Sequence, residues 1–154
     1  MKKNYLSFEQ HEDKGRDKMR RVYNVSGIRL FTFYGQDSKI DTSFTADTKY
    51  RKNLTANVEI KDRDIEYTKY PNYWLEKIKY DALVGAYKET GSLPIYLNFF
   101  KNNIGFYWNL LKIQPKWVWR LATETTADGT YGQNKVWKLV TFVYPEEGKR
   151  FKYE

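Results

Sequence analysis

Between Ile28 and Asp62 the chain alternates apolar and polar residues in short bursts, and each burst predicts a strand. Ile28-Arg29-Leu30-Phe31-Thr32-Phe33-Tyr34 is the first, residues 39–46 the second and 55–62 the third. Gly35-Gln36-Asp37-Ser38 is the first turn, and the polar stretch Asp47 to Asn53 is the second connection. Before the first strand the spacing changes. Phe8, Glu12, Met19, Val22 and Tyr23 recur on one helical face, which predicts a helix from Ser7 to about Val25. Ser7 with Gln10 makes a capping box, Gly15 weakens the interior, and Lys14, Lys18 and Arg21 lie on the opposite side. Asn24-Val25-Ser26-Gly27 breaks it.

Asp64 to Tyr70 reads as a loop leading into Pro71. Tyr73, Leu75 or Glu76, Ile78, Tyr80, Leu83, Val84 and Tyr87 then predict a second helix over Asn72 to Lys88, closed by Gly91. Leu93–Phe100 and Ile104–Trp108 are strands four and five around the turn Lys101-Asn102-Asn103. Trp117 to Thr125 and Val136 to Tyr144 make a hairpin beside the central sheet. The expected fold class is α/β, a mixed α+β arrangement: helix, three antiparallel strands, helix, two strands, then a C-terminal β-hairpin. One domain over residues 1–154 is expected, with a core at about 7–110 and a β extension at about 111–154.

Composition narrows the chemistry. The chain has no Cys, so disulfides and thiolate metal sites are excluded, and its single His, His11, excludes catalysis that needs two. Neither a long apolar run nor a signal-like N-terminus is seen, so no membrane span and a cytoplasmic location are expected. Net charge is +8, of which residues 1–63 contribute +5 and the remainder +3, so the charge is spread along the chain. Gathered by a fold into a patch, it favours polyanions. Aromatics are 18% of residues, including 14 Tyr and 5 Trp. They read as core with amphipathic margins, or as rings that stack on bases.

The third predicted strand carries Val58-Glu59-Ile60-Lys61. Side chains alternate faces on a strand, so Glu59 and Lys61 share one face while Val58 and Ile60 point to a core. Asp41 lies on the preceding strand, 18 positions earlier. Two carboxylates on neighbouring strands can hold a divalent cation through oxygen, and a lysine beside them can orient a water or stabilise a phosphoryl oxyanion. Asp47 is the rival of Asp41, but it falls in the hairpin connection, where Asp serves turn chemistry. On a solvated edge strand, Glu59 and Lys61 would instead pair with charges across it. Arg63, two residues beyond Lys61 on the same face, is a candidate phosphate contact or an idle rim residue.

Asp41 followed by Glu59-Ile60-Lys61, between a first helix and a second, resembles the PD-(D/E)XK nuclease superfamily over residues 7–108. Ile40 stands where the family pattern often has Pro. The resemblance implies a restriction-endonuclease-like core and a Mg²⁺-dependent endonuclease, with Mn²⁺ as a substitute. Asp41 and Glu59 would be metal ligands together with the backbone carbonyl of Ile60, and Lys61 would position the water. It adds Glu12 on the first helix as a further ligand, with Glu9 its competitor and a solvated helix charge the plain alternative. It adds Lys79 on the helix after the motif as a catalytic lysine, with a solvated helix residue again the plain alternative. The small size and helix-first order resemble phage-type and Holliday-junction-resolvase-like members acting in DNA recombination and repair. DNA is therefore the expected partner, a homodimer the expected assembly as in many such members, and a bacterial or phage-infected cell the setting. The alternative is a non-catalytic basic module of the same fold that binds nucleic acid or protein, or an assembly protein whose aromatic excess is interface.

Overall fold

The computed structural model describes residues 8–25, 27–35, 37–125 and 131–153; the side chains at 8–12, 25, 123–125 and 131–133 lie outside that description. Helix α1 (Phe8–Val25) leads into strands β1 (Ile28–Phe33), β2 (Thr42–Ala46) and β3 (Leu54–Asp62), an antiparallel meander. Strand β4 (Tyr73–Glu76) and helix α2 (Lys77–Thr90) form the crossover to β5 (Leu93–Phe100), which pairs in parallel with β3. Strands β6 (Ile104–Asn109), β7 (Val118–Thr125), β8 (Tyr131–Val143) and β9 (Lys149–Lys152) follow. The main sheet runs β1-β2-β3-β5-β6-β9, and a second sheet runs β4-β8-β7. The result is the mixed α+β class. No helix among the described residues is long and apolar enough to cross a membrane.

Strand β5 explains how the core is divided. Ile95, Leu97 and Phe99 join a cluster with Met19, Tyr23 and Val58 under α1. Tyr96 and Phe100 join Tyr73, Leu75, Leu83, Trp108 and Val143 on the opposite face, under α2 and the second sheet. A strand covered on both faces reads as an almost unbroken apolar run, and Leu93-Pro94-Ile95-Tyr96-Leu97-Asn98-Phe99-Phe100 is one. Asn98 is its one polar side chain apart from the Tyr96 hydroxyl, and it is fully buried.

Gly15 has a packing purpose. A Cβ there would sit 3.1 Å from Cγ2 of Ile60, so its absence lets α1 lie close on β3. Met19 and Tyr23 complete the buried stripe of the helix, and the Tyr23 hydroxyl meets Thr42 Oγ1 at 2.9 Å. On that same side Lys18 Nζ meets Asp62 Oδ1 at 2.6 Å.

Four expectations are corrected. The segment expected to open the second helix is strand β4: Tyr73 and Leu75 are buried while Trp74 and Glu76 are half-buried, a period of two. Pairing with β8 overrides the helical reading of those apolar positions, and α2 begins only after Glu76, whose ψ of 139° is extended. At the other end, Gly91 takes the left-handed φ of 77° and donates its N–H to Tyr87 O, as a helix-closing glycine does. The C-terminal hairpin is not an appendage, because β8 pairs with β4. A ninth strand, β9, is hidden in the charged sequence Lys149-Arg150-Phe151-Lys152 and closes the main sheet against β6. Finally β2 begins at Thr42, so Asp41 precedes the strand that was expected to contain it.

Candidate functional site

Asp41 sits where β2 and β3 part. Its N–H still reaches Val58 O, at 3.2 Å. One step further along β3 the carboxylate takes over: Asp41 Oδ2 accepts the N–H of Ile60 at 2.7 Å. That bond turns the Asp41 side chain toward β3 and next to Glu59.

Glu59 and Lys61 share the face of β3 that looks toward α2 and the second sheet. Tyr96 and Asn98 lie beside them in register on β5. From α2, Lys79 Nζ comes to 3.5 Å from Glu59 Oε1. Glu59 is 8% exposed, and its Oε2 is buried without a hydrogen-bond donor among the described residues. Burial pushes the Glu59 carboxyl up to about 8, and the neighbouring Asp41 adds to this against the opposing pull of Lys79 and Lys61. Burial and the neighbouring Asp41 both favour the protonated form of Glu59, which removes one of two adjacent charges.

The lysines divide the electrostatic work. Burial disfavours the charge on Lys79, but Glu59, Asp41 and Glu76 outweigh it and its pKa is raised. Lys61 is pushed down, first by loss of hydration and then by Arg63, against the pull of Glu59 and Glu76. The Lys61 side chain is exposed to solvent.

Arg63 is differently placed from the rim position its sequence suggests. Its Nε donates to Asn98 Oδ1 at 2.6 Å, and one terminal nitrogen donates to Tyr96 Oη at 2.9 Å and to Trp74 O at 3.1 Å. The guanidinium also lies 5.1 Å from the centre of the Tyr73 ring. These contacts tie β3, β4 and β5 together beneath the site. Glu12 falls within α1, but its side chain and those of Glu9 and His11 lie outside the described residues. Asp47 is far from the carboxylate pair in role: it accepts the N–H of Asn53 and pairs with Arg29 at the β2–β3 connection.

Three neighbours were not expected. Glu76, at the start of α2, meets Lys138 of β8 at 2.6 Å, and both charges are felt at Lys61. A period-two reading of Tyr73-Trp74-Leu75-Glu76 would have put Glu76 at a strand end, but nothing local assigns Lys138 to it. Asn98 did carry a signal, as a lone amide inside an apolar strand.

The donor set is hard and all-oxygen: Asp41 and Glu59, with a buried carboxylate oxygen lacking a donor. The described residues hold no group of three or more His, Cys, Asp or Glu side chains able to bind a metal. Two carboxylates suit Mg²⁺, which keeps several waters and takes one or two protein carboxylates, better than a cation needing a full protein cage. No protein-family model, no curated protein and no solved structure matches this chain.

Proposed function

We propose that the chain is a small metal-dependent nuclease of the PD-(D/E)XK type that hydrolyses DNA phosphodiester bonds, with branched recombination and repair intermediates as the favoured substrates. The observation that carries this reading is the Asp41–Glu59 pair, fixed by the Ile60 N–H, with Lys61 on the same strand face and Lys79 at 3.5 Å. The order of elements supports it: a helix, an antiparallel meander, a helical crossover and a strand parallel to the one bearing Glu-x-Lys.

In this reading Asp41 and Glu59 would hold Mg²⁺ or Mn²⁺, with the carbonyl of Ile60 added by the resemblance. The bound cation supplies charge neutralisation at the phosphoryl oxygens. Lys61 orients the attacking water through its ammonium group. Lys79 offsets the charge of Glu59 and adds positive potential where the phosphate approaches. Arg63, Asn98 and Tyr96 hold β3 and β5 in register so that these groups keep their positions.

The reading is tested by incubating the protein with branched, duplex and single-stranded DNA in Mg²⁺ or Mn²⁺, beside Asp41→Asn. Cleavage by the wild type alone is the expected result; no cleavage of any substrate, with no heat of Mn²⁺ binding, sinks it. A second reading has one observation in its favour. Lys79 already supplies a cation to Glu59, as it would in a non-catalytic nucleic-acid- or protein-binding module of the same fold. DNA binding without any Mn²⁺ heat would select that reading.

A further inference from the structure

The β7–β8 ribbon exposes one face that the core does not explain. Trp119 is 60% exposed, Trp137 66% and Leu121 47%. In the register of the ribbon Trp119 stands opposite Leu139, and Leu121 opposite Trp137. Directly paired residues and residues two apart share a face, so both tryptophans lie on one surface as diagonal neighbours. Burying a tryptophan is among the largest gains open to a fold. Leaving two of them open on one face therefore calls for a ligand.

The charge around them says which ligand. Residues 116–125 and 134–143 carry Lys116, Arg120, Lys135 and Lys138 against the single acid Glu124. Arg120 and Lys138, an opposed pair, occupy the other face of the ribbon. There Lys138 reaches Glu76 and acts on Lys61, so the ribbon is joined to the carboxylate site. Three apolar side chains fall short of the roughly 800 Å² per partner that a stable protein–protein interface buries. On the tryptophan face the cation is Lys135, two residues from Trp137 along β8, and flat rings with a cation on the same face match a polyanion that also offers π-faces.

We infer that the Trp119–Trp137 face is a stacking platform for unpaired bases, so that the chain takes nucleic acid with a single-stranded or unstacked portion. The platform stands on the ribbon alone; that the bases belong to the substrate of the carboxylate site rests on the nuclease reading. Duplex DNA keeps its π-faces stacked inside and could use only the cations.

The test is fluorescence anisotropy in EDTA with a labelled oligo(dT) strand and a duplex of equal length. Wild type binds the single strand more tightly. Trp119→Ala and Trp137→Ala each weaken single-strand binding about tenfold, leave duplex binding nearly unchanged, and leave the salt slope as it was, since no charge is lost. Unchanged single-strand affinity overturns the inference, and so does an equal loss on both ligands. A wild-type dimer in sedimentation that the double variant dissolves also overturns it, with a second copy as the occupant. Should an alanine variant melt early, the Trp119→Phe/Trp137→Phe pair decides: quenching of tryptophan emission by oligo(dT) must vanish with those two indoles. Mn²⁺ titration separates this test from the nuclease reading. Tryptophan-dependent binding without metal binding defeats only the nuclease, and metal-dependent cleavage with indifferent tryptophans defeats only the platform.

Discussion

Asp41 Oδ2 accepts the backbone N–H of Ile60 at 2.7 Å, at the point where β2 stops pairing with β3. The carboxylate therefore does the work of a missing ladder bond, and it is held beside Glu59 before any cation arrives. Asp41→Ala should lose both tasks, leaving the Ile60 N–H without its partner and costing about 1–3 kcal/mol. Asp41→Asn can still accept from Ile60 and should keep most of the stability while losing Mn²⁺ binding. Thermal melts and calorimetry on the two variants check this. Equal melting temperatures for Asp41→Ala and wild type would remove the structural task.

Glu59 makes the metal-free protein sensitive to alkali. Its carboxyl is pushed up to about 8 by burial and by Asp41. Above the ordinary value of 4.5 the unfolded chain has released this proton while the folded chain keeps it. The stabilisation is complete below that ordinary value and is lost as pH rises through the folded value. The metal-free melting temperature should fall by several degrees between pH 6 and pH 9. Glu59→Gln, which mimics the protonated form, should flatten that fall and abolish cleavage. If the variant shows the same slope as wild type, Glu59 is not the titrating group.

In the nuclease reading Lys79 would compete with the bound cation for Glu59. Lys79→Met should let Mn²⁺ bind several-fold more tightly, because a like charge is removed from beside the ligand. Cleavage should still drop, because the phosphate loses a counter-charge. Calorimetry paired with single-turnover cleavage reads the two effects separately. Weaker Mn²⁺ binding in the variant would mean that Lys79 positions Glu59.

Arg63→Ala should behave as a core variant. Three hydrogen bonds and a ring contact are lost, and Asn98 and Tyr96 are left buried with fewer partners. A loss of about 2–4 kcal/mol is expected, a drop of roughly 5–15 °C in Tm for a chain of this size. The salt slope of DNA binding should stay the same. A variant that kept its Tm and shallowed the slope by about one unit would return Arg63 to the phosphate.

Gly15→Val should push α1 away from β3, since even one Cβ would lie 3.1 Å from Ile60 Cγ2. Overpacking of this kind costs about 1–3 kcal/mol. In Gly15→Ala the tight contact is offset by about 1 kcal/mol of helix propensity, so its melt should lie close to wild type. An unchanged melt for the valine variant would show that the helix can shift freely.

How legible this was depended on where each element found its partners. β2, β3, α1 and most of β5 and β6 could be read from the sequence because their patterns agree with their final burial, whereas β1 was read from its apolar run although Leu30 and Phe31 are exposed. Tyr73 and Leu75 could not, since positions 73, 75, 78 and 80 satisfy a helical spacing until β8 pairs with the first two. Strand β9 was invisible because an edge strand with Lys149, Arg150 and Lys152 buries little. Within the site, Asp41, Glu59 and Lys61 came from one local pattern and Lys79 from the helix after it. Glu76–Lys138 joins residues 62 positions apart, and only the second sheet brings them together.

The parallel pairing of β3 with β5 also sets an order of assembly. The meander that carries Asp41 and Glu59 closes through neighbouring segments, whereas Lys79 and Tyr96 arrive only when the crossover has docked. Contacts between distant segments form late, because loop closure is costly. For that interval the two carboxylates have Lys61 beside them but lack Lys79. A divalent cation present at that moment would take the place of Lys79 and speed refolding, which stopped-flow traces recorded with and without Mg²⁺ can measure.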